Sequence, residues 1–171
     1  MIFGFYRCVD ALIDLTGAPC HTIKLDDDDD MQEDMDKLWA ELLRYSEHSY
    51  LMTASTPGED TESESGHRLE KHASGLVAGH AYSILAVKQV TSGHRLMLLR
   101  NPWGCMEWNG DWSDTSPLWD QYPDVKHELG VLLDDTDGTF WMPFESVLEL
   151  FHAVNVCKLR HPSVNRNRHP W

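Results

Sequence analysis

The sequence predicts an α+β fold in which an antiparallel β-sheet forms the body and one main amphipathic helix packs against it. Apolar residues recur at helical spacing over residues 31–46, which predicts the helix. From residue 76 onward, short apolar segments alternate with turn-forming residues, as is typical of antiparallel strands. A chain of 171 residues is long enough to bury one substantial core, so we expect a single domain.

Composition and charge exclude several classes of function. Twenty-eight Asp and Glu residues against fourteen Lys and Arg give a formal net charge of −14. Nucleic acids and anionic membrane surfaces attract positively charged proteins, so we expect neither as a partner. The apolar runs are far shorter than the ~20 residues that span a bilayer, so we also expect no membrane span.

The cysteine pattern indicates a reducing compartment. Cys8, Cys20, Cys105 and Cys157 are far apart in the sequence and form no CxxC pair. Disulfide scaffolds and zinc sites have denser cysteine patterns, so reduced and mostly buried thiols are the favoured interpretation. The first seven residues also lack the longer apolar stretch of a secretory signal. We therefore expect a cytoplasmic location.

The predicted helix is flanked by two polar segments. The five Asp residues at 26–30 lack the alternating ligands, central Gly and distal Glu of an EF-hand, so they are interpreted as a solvated loop. Their charge complements the N-terminal dipole of the helix that follows. Residues 55–75 are rich in Ser, Thr, Glu and Gly and predict a flexible surface loop. The helix itself has one apolar face, formed by Met31, Met35, Leu38, Trp39, Leu42 and Leu43.

The next segments predict a β-hairpin. Residues 81–90 and 95–99 are short and rich in apolar side chains, and residues 91–94 have the composition of a turn. A Trp-rich stretch over residues 101–122 follows, with few periodic features and many turn formers. This stretch predicts no regular element.

The last part of the chain predicts a second strand pair, a short helix and a closing strand. The strand pair is placed at residues 131–133 and 140–142, the helix at 144–151 and the closing strand at 153–159. Residues 161–171 form a basic tail that contains no core residues, so we expect it to fray.

Two polar residues bracket the predicted hairpin. His80 precedes its first strand and Asn101 follows its second. Because a hairpin brings its open ends together, we expect the two side chains to lie close, in a register that depends on whether Gly93 lies in a bulge. The Asn amide could hold one ring nitrogen while the other faces a nucleophile. On spacing alone, such a pair more often consists of ordinary strand-end residues.

The residues around this pair resemble a known family. Residues 75–83 read Gly-Leu-Val-x-Gly-His-Ala-Tyr-Ser, and residues 99–114 read Leu-Arg-Asn-Pro-Trp-Gly-x-x-Glu-Trp-Asn-Gly-x-Trp-Ser-Asp. Residues 137–144 follow with Asp-Gly-x-Phe-Trp-Met-x-Phe. In this order the motifs resemble the second half of the calpain cysteine-protease core, the subdomain that supplies His and Asn.

The resemblance is strongest over residues 75–160 and weaker over residues 8–55. It implies that residues 1–160 form calpain core subdomain 2, with the loop at 55–75 inside it. The implied fold is the antiparallel, barrel-like half of a papain-like α+β protease.

The resemblance also implies roles for three residues. His80 would be the general base, Asn101 its orienting partner and Trp103 the indole that shields their hydrogen bond, as in the papain-like Cys-His-Asn site. In the family, the nucleophile lies in a Gln-containing segment ending in Asp-Cys-Trp, and nothing in this sequence matches that segment. The identity of the nucleophile is therefore unknown from this sequence.

The same resemblance implies a calcium site. Glu107, Asp114 and Asp137 match positions of calcium ligands in the family, and hard oxygen donors are what Ca²⁺ requires. Thr139 stands where the family often has Glu, which removes one charge, although the acids at 134–135 lie close by. Turn acids on an acidic surface remain the alternative interpretation.

Two functions are therefore considered. The first is the His/Asn half of a calcium-dependent calpain-like endopeptidase, which acts on protein or peptide substrates and is inactive alone. Such a half, a fragment or a natural half-core, needs a Cys-bearing subdomain in the same chain or in another. The alternative is a non-catalytic, calcium-responsive binding module derived from the same core.

Overall fold

The structure is a computed structural model that describes residues 8–25, 31–58, 74–131 and 137–159; of residues 31–34 it describes the backbone alone. The helices of this part are α1 (Cys8–Thr16), α2 (Met31–Glu47), α3 (Leu118–Gln121), α4 (Pro123–Leu129) and α5 (Phe144–Leu150). The strands are β1 (Cys20–Lys24), β2 (Leu51–Ser55), β3 (Ala81–Gln89), β4 (Arg95–Arg100), β5 (Thr139–Pro143) and β6 (Ala153–Cys157). No helix in these ranges is both long and apolar enough to cross a membrane.

The strands form one six-stranded sheet in the order β1-β6-β2-β3-β4-β5. Every neighbouring pair is antiparallel. This arrangement confirms the predicted α+β class with an antiparallel sheet. The last strand, β6, lies between β1 and β2, so the end of the described chain is built into the sheet interior.

The two faces of the sheet carry separate cores because successive side chains of a strand point to opposite faces. In β4, Met97 and Leu99 contribute to one core and Leu96 to the other. The first core lies under α2 and α5 and contains Trp39, Leu42, Tyr45, Met52, Ala54, Leu76, Tyr82, Ile84, Val87, Met97, Leu99, Phe140, Met142, Phe144, Val147, Phe151, Val154 and Val156. The second core lies under α3 and α4 and contains Val90, Leu96, Trp112, Trp119, Val125 and Trp141.

Helix α2 confirms the prediction of a helix over residues 31–46 to within one residue at its end. Its Trp39 and Leu42 side chains are buried in the first core, where Trp39 packs against Phe144 with ring centroids 5.0 Å apart. On the outer side, Arg95 pairs with Asp36 at 2.6 Å. The helix therefore covers the first face of the sheet, as its apolar stripe predicts.

The hairpin β3–β4 is also confirmed, with its turn at residues 91–94. The irregularity in its register falls between Ile84 and Ala86, not at Gly93. Strand β5, helix α5 and strand β6 match the predicted elements near residues 140, 144 and 153.

Other segments differ from the prediction or lie outside the described residues. The Trp-rich stretch was expected to lack regular elements, but it contains α3, and α4 begins directly after it. The sequence predicts a strand at residues 131–133. Val131 is not in a strand, and residues 132–133 lie outside the described residues. The Asp run at 26–30, most of the loop at 55–75 and the tail at 161–171 also lie outside them.

Candidate active site

The open end of the β3–β4 hairpin brings His80 and Asn101 together. His80 directly precedes β3 and Asn101 directly follows β4, and Ser83 pairs with Arg100 across the two strands. The His80 Nε2 atom lies 2.9 Å from Asn101 Oδ1, a normal hydrogen-bond distance. The sequence-based expectation that these two side chains lie close therefore agrees with the geometry.

The Asn101 side chain is completely buried and its orientation is set by its neighbours. Its Nδ2 group donates to the carbonyl oxygens of Cys105 and Met106 at 2.5 and 3.3 Å. Its Oδ1 atom accepts the backbone N–H of Trp103 at 3.0 Å. Because an amide nitrogen can only donate, these contacts fix which end of the amide faces His80.

This orientation determines the tautomer of His80. Asn101 Oδ1 is an acceptor, so the Nε2 atom of His80 must donate the proton in their hydrogen bond. In a neutral ring the other nitrogen, Nδ1, then carries the free lone pair. His80 thus keeps Nδ1 available as an acceptor, which is the arrangement that a general base requires.

Two aromatic rings confine the imidazole of His80. The Trp103 ring lies at a centroid distance of 4.1 Å and an angle of 41°. The Tyr82 ring meets it edge-on at 5.1 Å and 85°. Trp103 remains 37% exposed, so one side of this pair of rings faces the surface. The indole therefore packs against the imidazole, and its shielding of the His80–Asn101 hydrogen bond stays a prediction.

Tyr82 is held rigidly below the imidazole. Its hydroxyl accepts the backbone N–H of Val77 at 2.9 Å, and its ring is fully buried in the first core. Burial raises the pKa of Tyr82, and this effect outweighs the opposing hydrogen bond from Val77. The phenol therefore stays neutral and serves as a wall of the site.

Thr56, just after β2, holds the backbone of His80 in place. Its hydroxyl accepts the N–H of His80 at 3.0 Å and donates to the carbonyl of Val77 at 2.7 Å. Its own N–H donates to the carbonyl of His80 at 3.0 Å. Thr56 is 2% exposed. Sequence reasoning missed this residue because its partners lie 21 and 24 positions away and no local motif marks it.

Gly138 closes the site from the β5 side. Its φ of 80° is in the region that favours glycine, and its carbonyl accepts the N–H of Asn101 at 2.8 Å. An added Cβ would lie 2.7 Å from the carbonyl oxygen of Asn101. Glycine is therefore required for β5 to begin this close to the end of β4.

The predicted calcium ligands are only partly brought together. Glu107 Oε1 accepts the N–H of Gly138 at 2.8 Å, which places it beside Asp137. Asp137 Oδ1 accepts the N–H of Thr139 at 2.7 Å and also its hydroxyl, and these hydrogen bonds lower the pKa of Asp137.

Across the four described ranges, no three His, Cys, Asp or Glu side chains are grouped closely enough to hold a metal ion. Glu107 and Asp137 therefore do not complete a cluster with Asp114. Since Ca²⁺ takes six to eight oxygen ligands, these side chains would need backbone carbonyls, water or further acids to form a site. The acids at 134–135 are outside the described residues.

The described contacts of His80 include no thiol. Cys20 and Cys157 are partners in the β1–β6 pair, and Cys157 is also opposite Leu51, at the beginning of β2. The site lies beyond the other end of β2, about 13 Å away at the usual rise per strand residue. Cys105 is exposed and contributes its backbone carbonyl to Asn101. Among the described residues, the arrangement could provide a base and its orienting partner, and no cysteine thiol is in contact with the base.

Comparison with known proteins agrees with this geometry. The sequence profile described as "Calpain family cysteine protease" matches residues 4–158. The "Calpain-type cysteine protease DEK1" of Arabidopsis thaliana is 39% identical over 155 residues, which are 88% of this chain and 7% of the relative. "Calpain-14" of Homo sapiens is 36% identical over 153 residues, 88% of this chain and 20% of the relative.

"Calpain-5" of Mus musculus is 35% identical over 176 aligned residues, which cover 95% of this chain and 27% of the relative. The chain thus spans less than a third of the length of each of these three relatives. The profile match extends over most of the chain, and it includes both strands of the hairpin that carries His80 and Asn101. The chain belongs to the calpain family of cysteine proteases.

Proposed function

We propose that this chain supplies the base and the orienting amide of a Cys-His-Asn peptidase site that hydrolyses peptide bonds in proteins. The observation that carries the proposal is the hydrogen bond from His80 Nε2 to Asn101 Oδ1, which leaves Nδ1 as the basic atom. A thiol nucleophile needs such a base, because the thiolate and not the thiol attacks.

In the proposed mechanism, His80 first accepts a proton and then donates it. Its Nδ1 atom takes the proton of the nucleophilic thiol, and the thiolate attacks the scissile carbonyl carbon. The imidazolium then gives the proton to the leaving amine, so that an acyl-enzyme remains. The neutral imidazole next takes a proton from the water that attacks this thioester and returns it to the departing thiolate. Asn101 holds the ring angle through both transfers, and Trp103 limits the access of water to their hydrogen bond.

The nucleophile in this proposal belongs to a Cys-bearing subdomain, in the same polypeptide or in a second one. None of the four cysteines of this sequence matches the family's nucleophile segment, and the described contacts of His80 include no thiol. The exposed side of Trp103 and the half-buried His80 give such a subdomain a surface to contact.

A fusion protein tests this function. The Cys-bearing half of a calpain core is joined to the N-terminus of this chain, and turnover of a fluorogenic peptide is compared with that of the chain alone. We expect turnover only in the fusion, lost on His80→Ala and retained on His48→Ala, which changes an exposed histidine elsewhere. Turnover by the chain alone, turnover that survives His80→Ala, or an inactive folded fusion would contradict the proposal.

Calcium dependence is a second proposal for the same site. It is supported by the positions of Glu107 and Asp137, whose carboxylates accept the N–H groups of Gly138 and Thr139, next to the end of β4. If Ca²⁺ binds here, it links this turn to the site through the Gly138–Asn101 hydrogen bond. No step of the proposed mechanism requires the ion.

Calorimetry and thermal unfolding test calcium binding directly in the chain. We expect Ca²⁺ to release or absorb heat and to raise Tm, and we expect Asp137→Ala to weaken both effects. Asp120→Ala, an exposed acid in α3, is the matched control and should change neither. The absence of any effect at millimolar Ca²⁺ would rule the proposal out.

The two experiments also separate the alternative function. Calcium binding together with an inactive, folded fusion would favour a non-catalytic binding module. A cytoplasmic location remains a prediction from the cysteine pattern.

A further inference from the structure

We propose that Cys20 and Cys157 are a redox pair that closes to a disulfide between β1 and β6. The two residues are direct partners in the antiparallel β1–β6 pair. Both are free thiols in the structure. This pair lies at the opposite end of the sheet from His80, so the inference is independent of the proposed peptidase function.

The hydrogen-bond pattern shows which kind of pair this is. The N–H of Lys158 donates to the carbonyl of Pro19 at 2.9 Å, so the neighbouring pair 19–158 is hydrogen-bonded. In antiparallel strands hydrogen-bonded and non-hydrogen-bonded pairs alternate, so Cys20 and Cys157 form a non-hydrogen-bonded pair. Such pairs have Cα atoms about 4.5 Å apart and close side chains. Disulfides span about 4.4–6.8 Å between Cα atoms, so this separation is near the lower end of their range.

Side-chain contacts two residues further along the strands support this assignment. Thr22 and Asn155 are the next non-hydrogen-bonded pair along the same strands. The Thr22 hydroxyl donates to Asn155 Oδ1 at 2.8 Å, so side chains on this face do reach across from β1 to β6.

The surroundings hold both thiols in place and favour the protonated form of Cys20. The Cys20 Sγ atom donates to the carbonyl of Ala18 at 3.3 Å. The Cys157 Sγ atom lies 3.3 Å from the Thr16 hydroxyl, which itself donates to Leu12. Burial and the neighbouring thiol of Cys157 raise the pKa of Cys20 to about 11. Because the thiolate is the attacking form in thiol–disulfide exchange, the raised pKa makes the reaction of Cys20 with an oxidant slow.

The two thiols differ in access, which sets the order of reaction. Cys20 is partly exposed and Cys157 is completely buried. With a low-molecular-weight disulfide as oxidant, the Cys20 sulfur forms a mixed disulfide and one small thiol leaves with the Cys20 proton. The Cys157 sulfur then attacks the Cys20 sulfur, and the second small thiol leaves with the Cys157 proton. The protein loses two electrons and two protons, and the oxidant gains both.

Oxidised glutathione, added to the full chain, tests the pair. We expect a protein lighter by two hydrogen atoms per ring closure, a Cys20–Cys157 cross-linked peptide in the non-reducing digest, and reversal by dithiothreitol. We also expect Tm to rise by several degrees, because the bond closes a long loop. Exposed Cys105 should instead keep a glutathione adduct.

Matched variants separate this pair from other thiol chemistry. Cys20→Ser should abolish the cross-link, whereas Cys105→Ser and Cys8→Ser should leave it unchanged. Because Cys20 is partly exposed, Cys20→Ser should fold normally, which circular dichroism will verify. A stable glutathione adduct on Cys20 without ring closure, a cross-link to another cysteine, or no reaction at Cys20 would overturn the proposal.

Discussion

Thr56 connects the end of β2 to the backbone of the candidate base. Its hydroxyl bridges His80 and Val77, and its own N–H donates to His80. These bonds do not touch the imidazole, so Thr56 is a positioning residue that acts through the backbone of His80. A shift of this backbone would alter the angle at which Nε2 meets Asn101.

The first prediction concerns the substitution Thr56→Val, which keeps the shape of the side chain but removes the hydroxyl. The His80 N–H and the Val77 carbonyl then lose a buried partner, at a cost of about 1–3 kcal/mol in unfolding free energy. We expect nitrogen NMR of the His80 ring to change from the Nε2–H tautomer to a mixture. Thr56→Ser should restore the single tautomer, and an unchanged tautomer in Thr56→Val would contradict the positioning role.

The second prediction concerns Asp137, whose pKa is lowered by the hydroxyl and the N–H of Thr139. We expect Thr139→Val to raise this pKa towards the ordinary value, while the remaining N–H keeps part of the shift. Because the pKa of Asp137 is lower in the folded protein than in the unfolded chain, its ionised carboxylate stabilises the fold. This stabilisation is fully present above the unfolded pKa and is lost as the pH falls through the folded pKa.

Carboxyl carbon NMR during a pH titration measures this pKa in both proteins. Because Asp137 is exposed, the stability term is small and the pKa itself is the better observable. Thr91→Val, which removes an exposed hydroxyl in the β3–β4 turn at the other end of β4, serves as the control. If Thr139→Val leaves the Asp137 pKa unchanged, the assigned cause is wrong.

At the scale of residues, the sequence predicts contacts that follow from local topology. His80 and Asn101 are 21 positions apart, but a hairpin joins them, so their proximity could be inferred. The partners of Thr56 could not be inferred, because the contact requires β2 to pair with β3, and no local pattern specifies that pairing. The bulge in β3 escaped prediction for a related reason. It falls next to Leu85, an apolar residue with no turn signature.

Among the elements, a helix was predictable where one face is buried. The complete apolar stripe of α2 predicts a helix, whereas no such stripe marks α1. In α1 only Val9 is buried, and Ile13 and Leu15 are exposed, so its apolar residues do not mark a single face. An apolar stripe is therefore present in the sequence of α2, which packs on the sheet, and not in that of α1.

The third prediction tests the contribution of α2 with a buried and an exposed leucine. Leu42 is 1% exposed and lies in the first core, so Leu42→Ala should lower the unfolding free energy by about 2–5 kcal/mol. Leu15, in α1, is 85% exposed, and Leu15→Ala should change the unfolding free energy by less than about 0.5 kcal/mol. Urea unfolding measures both. Equal effects of the two substitutions would show that α2 does not depend on this core.

In the whole molecule, the sheet separates two cores but also joins them. Residues of β4 and β5 alternate between the faces, with Met97 and Phe140 in the first core and Leu96 and Trp141 in the second. If β4 or β5 detaches from the sheet, both cores therefore lose side chains at once. The candidate site lies where these same strands end or begin, since Asn101 follows β4 and Gly138 precedes β5. Both cores therefore support the geometry of Asn101.

The fourth prediction is that the two cores unfold in one transition. In protein labelled with fluorotryptophan, Trp39 reports on the first core and Trp119 on the second, and Trp39→Phe and Trp119→Phe assign their fluorine resonances. We expect equal urea midpoints for the two signals, because the shared strands make unfolding cooperative. Leu96→Ala, which opens a cavity in the second core alone, should lower both midpoints equally. A Trp39 midpoint that stays unchanged while that of Trp119 falls would show that the cores are independent.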